Sequence, residues 1–152
     1  MSVCIIAFDS IYANKFKELN AAWLEKYFYI EAKDTVLLDD CKNSIINNNG
    51  YTFFAEYPSK IVGCFSFIKM EENCYELCKM AVDFKYQGLK IGQELIKFAI
   101  QYAKKAIGIK LYCIQALNFS TPCIFIKSMD LRKLILKRTC RMQEVILKWN
   151  YY

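Results

Sequence analysis

The chain carries two hydrophobic periods. Over 51–57, 61–70 and 75–82, apolar and aromatic residues crowd short segments separated by Pro58-Ser59-Lys60 and Glu71-Glu72-Asn73. That pattern predicts three consecutive strands joined by tight turns, hence antiparallel neighbours. Over 91–106 the spacing lengthens. Ile91, Leu95, Ile96, Phe98, Ala99, Tyr102 and Ala103 share one face, while Gln93, Glu94, Lys97, Gln101, Lys104 and Lys105 lie mostly opposite. An amphipathic helix is expected there, stopped by Gly108.

Elsewhere the signals are shorter. A strand is expected over 3–8, then a helix capped by Asp9 or Ser10 that carries Phe16, Leu19, Ala22, Trp23 and Tyr27 at helical spacing. A second helix is expected over 35–46, ended by the asparagine run and Gly50, and a strand over 111–116. Beyond it, a short helix over 121–129 would carry Pro122 in its first turn, and strands are expected at 134–136 and 144–149. The order β-α-α-β-β-β-α-β-α-β-β predicts an α/β or, more closely, α+β domain with a largely antiparallel sheet. No repeat or linker interrupts it, so residues 1–152 read as one domain with one core.

Composition narrows the chemistry. No apolar run nears the ~18 residues of a membrane span, and the start MSVCIIAFDS lacks a basic region and a cleavage site. A soluble, cytoplasmic protein is expected. Eight cysteines occur without a CxxC pair, and histidine is absent, so neither a metal site nor a histidine-based hydrolase is expected. Proton transfer falls to carboxylates, Tyr, Lys, Cys or water. The net charge of +6 is uneven: residues 1–76 hold 7 basic and 11 acidic groups, against 14 and 4 in 77–152. A basic second half suits a polyanion, either a nucleic acid or a phosphorylated small molecule. The basic tail lacks an RNA motif and an aromatic platform at strand spacing, so nucleic acid is not the expected partner.

Between the third predicted strand and the long helix lies YQGLKIGQ, residues 86–93. A helix beginning straight after a strand offers unpaired N–H groups and roughly half a positive charge to a phosphate. Gly88 and Gly92 permit close approach, and Lys85 and Lys90 add charge. Neither a dinucleotide GxGxxG nor a Walker GxxxxGK[ST] pattern is present.

The longer stretch ELCKMAVDFKYQGLKIGQELIKFA resembles motif A of the GNAT superfamily of N-acetyltransferases. There a strand ending in Val precedes x-Pro-x-x-Gln/Arg-x-x-Gly-x-Gly/Ala and an amphipathic helix. Val82, Gln87 and Gly92 stand in register, Phe84 replaces proline, and Lys90 replaces the first glycine. The segments FKELNAAWLEKYFYIEAKD and YTFFAEYPSKIVGCFSF look like the N-terminal helices and hairpin of small bacterial members, and the resemblance runs over about residues 1–116. It implies a mixed, mostly antiparallel sheet of six to seven strands flanked by about four helices.

The resemblance also implies acetyl-CoA as co-substrate, with no metal, and direct transfer of the acetyl group to a primary amine in a ternary complex. The thioester would lie in a V-shaped gap between the strand ending at Val82 and the one starting near Leu111. Met80, Ala81 and Val82 would hold the pantetheine arm, and Gln87, Gly88, Leu89, Lys90, Ile91, Gly92 and Gln93 the pyrophosphate. Lys90 is expected at negative φ. Glu76 is the candidate base, placed by strand alternation on one face with Cys78 and Met80. Trp23, Tyr27 and Glu31 would border the acceptor. The tyrosine that often protonates departing CoA in relatives is missing: two alignments put Ile126 or Phe125 there, with Asp130 or Met129 in place of a following glycine. A non-catalytic acyl-CoA-binding protein is the alternative. The aromatic end KWNYY could pair two subunits.

Overall fold

The computed structural model describes residues 2–27, 30–72, 74–105 and 110–113. The helix expected over 121–129, the strands expected at 134–136 and 144–149, and the basic tail lie outside them. Among the described residues five strands form one sheet in the order β1-β2-β3-β4-β5: Cys4–Ala7, Tyr51–Glu56, Ile61–Glu71, Cys74–Val82 and Lys110–Cys113. The first four pair antiparallel, and β5 lies parallel to β4. A parallel pair requires a crossover, which is helix α3, Ile91–Lys105. The fold is α+β, as expected, and β5 begins a residue earlier than the expected strand.

Two layers of side chains cover the sheet. On one face the period-3.6 stripe of α3, Ile91, Leu95, Ala99 and Ala103, packs on Phe53, Phe65 and Phe67. On the other face α1, Ala13–Tyr27, sets Phe16 and Leu19 on Phe54, Cys64 and Ala81. Asp9 launches this side, its carboxylate accepting the Ile11 N–H at 3.0 Å in a short 3₁₀ turn before α1.

Helix α2 departs from expectation. It spans Ala32–Asp39, three residues earlier than its apolar pattern suggests, because Asp34 caps it: its Oδ2 accepts the Glu31 N–H at 3.3 Å. Asp40, at φ −135° and ψ 62°, then breaks the helix. Its carboxylate accepts the Asn43 N–H at 3.1 Å and starts a π turn, Lys42–Ile46, where a continuous helix was expected.

The seat of α3 is Gly63 on β3. A Cβ there would stand 3.1 Å from Leu95 Cδ1, 3.2 Å from the Ala81 carbonyl and 3.4 Å from Ile91 Cγ2. Gly63→Val forces α3 off the strand and is expected to lower stability by about 1–3 kcal/mol. Chemical denaturation checks it; an unchanged midpoint would show that α3 does not rest on this residue.

Candidate active site

The chemistry gathers along β4 and the loop that follows it. Between the pairs Cys64↔Ala81 and Ser66↔Cys78, β3 contributes Phe65 alone, whereas β4 contributes Lys79 and Met80. The extra residue is a β-bulge, and Lys79 takes φ 52° to make it. Beneath it Cys64, fully buried, directs its thiol to the Lys79 carbonyl at 3.7 Å and receives Asn20 Nδ2 at 3.3 Å. Burial pushes that thiol to about 12, so it packs as a neutral group.

The bulge corrects simple alternation. Tyr75 and Leu77 pack toward α3, and so do Met80 and Val82, while Ala81 packs toward α1 and α2. Met80 therefore does not share a face with Glu76 and Cys78, because one extra residue intervenes. β5 pairs with Cys74 to Leu77 only, so among the described residues the Cys78 to Val82 half of β4 is held by β3 alone.

After Val82, Asp83 anchors the loop. Its N–H donates to the Val62 carbonyl at 2.8 Å, and its carboxylate accepts the Lys85 N–H at 3.0 Å, winding Phe84–Tyr86 into a 3₁₀ turn. Phe84, in the place usual for proline, receives the Lys26 ammonium over its ring at 3.9 Å. Gly88 takes φ 84° and Lys90 φ 60°. The expectation of a negative φ at Lys90 is thus overturned: the chain needs a left-handed residue to turn into the helix, and lysine adopts it at a cost of roughly 1–2 kcal/mol. The Glu94 N–H donates to the Lys90 carbonyl at 3.1 Å. Lys90 is therefore the N-cap, and the N–H groups of Ile91, Gly92 and Gln93 precede the first intrahelical bond. Gly92 leaves bare backbone over Val82, whose Cγ2 would lie 3.8 Å from an added Cβ. These donors, with Leu89 exposed beside them, suit a diphosphate.

A cleft of about 410 Å³ opens beside this loop, lined in part by Tyr12, Lys15, Lys60, Asp83, Lys85 and Tyr86. It brings two lysines from elsewhere in the chain toward the basic loop, which sequence spacing did not indicate.

Glu76 is half-buried and, among the described residues, makes no hydrogen bond or ion pair. Burial raises its carboxyl above the usual range, against the opposing pull of the Lys79 ammonium. Lys79 itself is held by Asp34 of α2, Nζ to Oδ1 at 2.5 Å. Burial alone would raise Asp34, but the hydrogen bond and charge of Lys79, with the Glu31 N–H, hold it below its ordinary value. This pair went unnoticed in the sequence; the lone lysine inside ELCKMAV was its signal. Of the expected acceptor residues, Trp23 packs half-buried in the α1–α2 layer. Glu31 pairs with Lys33 at 2.7 Å, and Tyr27 ends α1, its side chain lying outside the described residues.

The site is thus a bulged strand that runs through a left-handed turn into a helix, beside a parallel neighbour. The sequence model of the Acetyltransferase (GNAT) family matches residues 9–121, and the chain belongs to that family. Among solved structures, an acetyltransferase of the GNAT family from Staphylococcus aureus Mu50 superposes with a TM-score of 0.73 at 24% identity, over 84% of this chain and 82% of that one. The PaiA N-acetyltransferase of Thermoplasma acidophilum, in complex with coenzyme A, gives 0.68 at 18% identity over 84% and 88%. A GNAT acetyltransferase from Brucella melitensis, in complex with acetyl-CoA, gives 0.65 at 18% identity over 78% and 79%. No curated protein matches the sequence.

Proposed function

We propose that this chain, a single domain over 1–152, is a cytoplasmic acetyl-CoA-dependent N-acetyltransferase that moves the acetyl group directly to a primary amine. The loop QGLKIGQ carries the reading, since its left-handed Gly88 and Lys90 turn a bulged strand into α3, whose first N–H groups precede its first intrahelical bond. The coenzyme A and acetyl-CoA complexes of the Thermoplasma and Brucella proteins support the co-substrate.

In this reading Gln87 through Gln93 hold the pyrophosphate, and the backbone of Met80, Ala81 and Val82 holds the pantetheine arm and polarises the thioester carbonyl. The amine nitrogen bonds to the carbonyl carbon, and the C–S bond breaks. Glu76 takes the amine proton, its carboxylate being neither paired nor fully hydrated. Trp23, Tyr27 and Glu31 border the acceptor. The positions aligned with the missing tyrosine, Phe125 and Ile126, have no hydroxyl, so water or another side chain has to protonate the departing thiolate. That absence favours a second reading, an acyl-CoA-binding protein without turnover.

Calorimetry with acetyl-CoA, run beside thiol detection of CoA release against an amine panel, tests both. Binding with amine-dependent release is expected. Binding without release supports the second reading, and absence of both rejects an acyl-CoA function.

A further inference from the structure

We propose that Asp34 is a positioning residue for acetyl transfer: by holding the Lys79 ammonium at the bulge of β4, it keeps that cation off Glu76 and leaves the Glu76 carboxylate open to the incoming amine. The inference rests on the reading of Glu76 as the base.

Four observations carry it. Lys79 and Asp34 are largely enclosed, their side chains 17% and 11% exposed. A lysine three residues beyond Glu76, in a left-handed bulge conformation, is an expensive way to reach a helix on the sheet's face. Asp34 is fixed in turn, since its second oxygen accepts the Glu31 N–H at the start of α2. Glu76, near enough to feel the Lys79 charge, makes no ion pair with it.

Several other charged and titratable groups on the neighbouring elements have places or partners of their own. On β4 itself Cys78 follows Glu76 at the next position on its face. From α2, Glu31 and Lys33 close on each other. From α1, Lys26 lies over the Phe84 ring. The register partners of Glu76 are Ile68 on β3 and Tyr112 on β5. Among the described residues Lys79 is thus the cation that bears on Glu76, and Asp34 restrains it. An amine acceptor arriving as a cation needs the carboxylate unpaired, because a Lys79–Glu76 bond would both lower the basicity of Glu76 and occupy its oxygens.

The test is a carbon-detected NMR titration of the Glu76 carboxyl in the full chain. In Asp34→Asn, which keeps an oxygen for the Glu31 N–H, Lys79 swings onto Glu76 and its pKa falls by about one unit or more. In the double variant Asp34→Asn with Lys79→Met, the Lys79 cation is gone, neither position holds an unpaired buried charge, and Glu76 titrates higher than in the wild type. Asp34→Ser serves as a second removal of the tether. An unchanged Glu76 titration in the folded single variants overturns the proposal. So does failure of both single variants to fold while the double variant folds, because a lysine free to reach Glu76 would have found a partner. The titration needs no acceptor, so absence of turnover against every amine would sink the transfer reading without touching this result.

Discussion

Glu76→Gln is expected to lower kcat for acetyl transfer by about 100-fold or more while leaving acetyl-CoA affinity unchanged. The same substitution is expected to raise the unfolding temperature at neutral pH. Both effects come from one cause. The carboxylate is half-buried with no hydrogen-bond partner among the described residues, so folding strips water from it without replacement. Its folded pKa lies above its unfolded one, so protonation favours the fold. Glu76 therefore weakens stability as pH rises through the folded value and has no effect once pH falls below the unfolded value. The variant should gain over the wild type at pH 7.5, and the two should unfold together well below the carboxylate range. In catalysis the sign is opposite: the ionised form is the base, and the acid limb of the wild-type pH–rate profile should sit above the usual carboxylate range. A stability cost of this kind, if measured, is the mark expected of a glutamate retained for function. A variant that loses activity and stability together would make Glu76 a structural residue and leave water as the base.

Much of this site was legible because the strongest patterns are local. The stripe from Ile91 to Ala103 and the runs on either side of Pro58 and Glu71 fixed α3 and the three central strands, and β4 leading into α3 placed the loop. What escaped depends on contacts distant in sequence or on a single backbone angle. The bulge at Lys79 adds no unusual letter, yet it moves Met80 to the opposite face from Glu76. Its partner Asp34 lies 45 positions away. The early start of α2 follows from that same aspartate, whose capping role outweighed the later apolar pattern. The left-handed angle of Lys90 is hidden for a different reason: lysine is a common helix residue, and nothing in its neighbours announces φ 60°.

That angle makes Lys90 the most informative position in the loop, since stability and binding should respond to it in different ways. Glycine there relieves a left-handed cost of roughly 1–2 kcal/mol, but the unfolded chain gains freedom worth about 0.4–1 kcal/mol. Lys90→Gly is therefore expected to stabilise the fold by no more than about 1.6 kcal/mol. It also removes an ammonium that, among the described residues, makes no ion pair, so CoA should bind severalfold more weakly. Lys90→Glu keeps the backbone cost and reverses the charge. A carboxylate at the N-cap suits the helix dipole, so the fold should hold or gain slightly, while affinity for CoA should fall by about 10-fold or more at low salt. The gap between wild type and Lys90→Glu should narrow as ionic strength rises, because the phosphates and the lysine meet near the surface, where the Debye length is about 8 Å at 0.15 M. Calorimetry with CoA at two salt concentrations, paired with denaturation of each variant, separates the terms. Equal affinities at low salt would mean that Lys90 serves the turn alone, and that the N–H groups of Ile91, Gly92 and Gln93 hold the pyrophosphate without its charge.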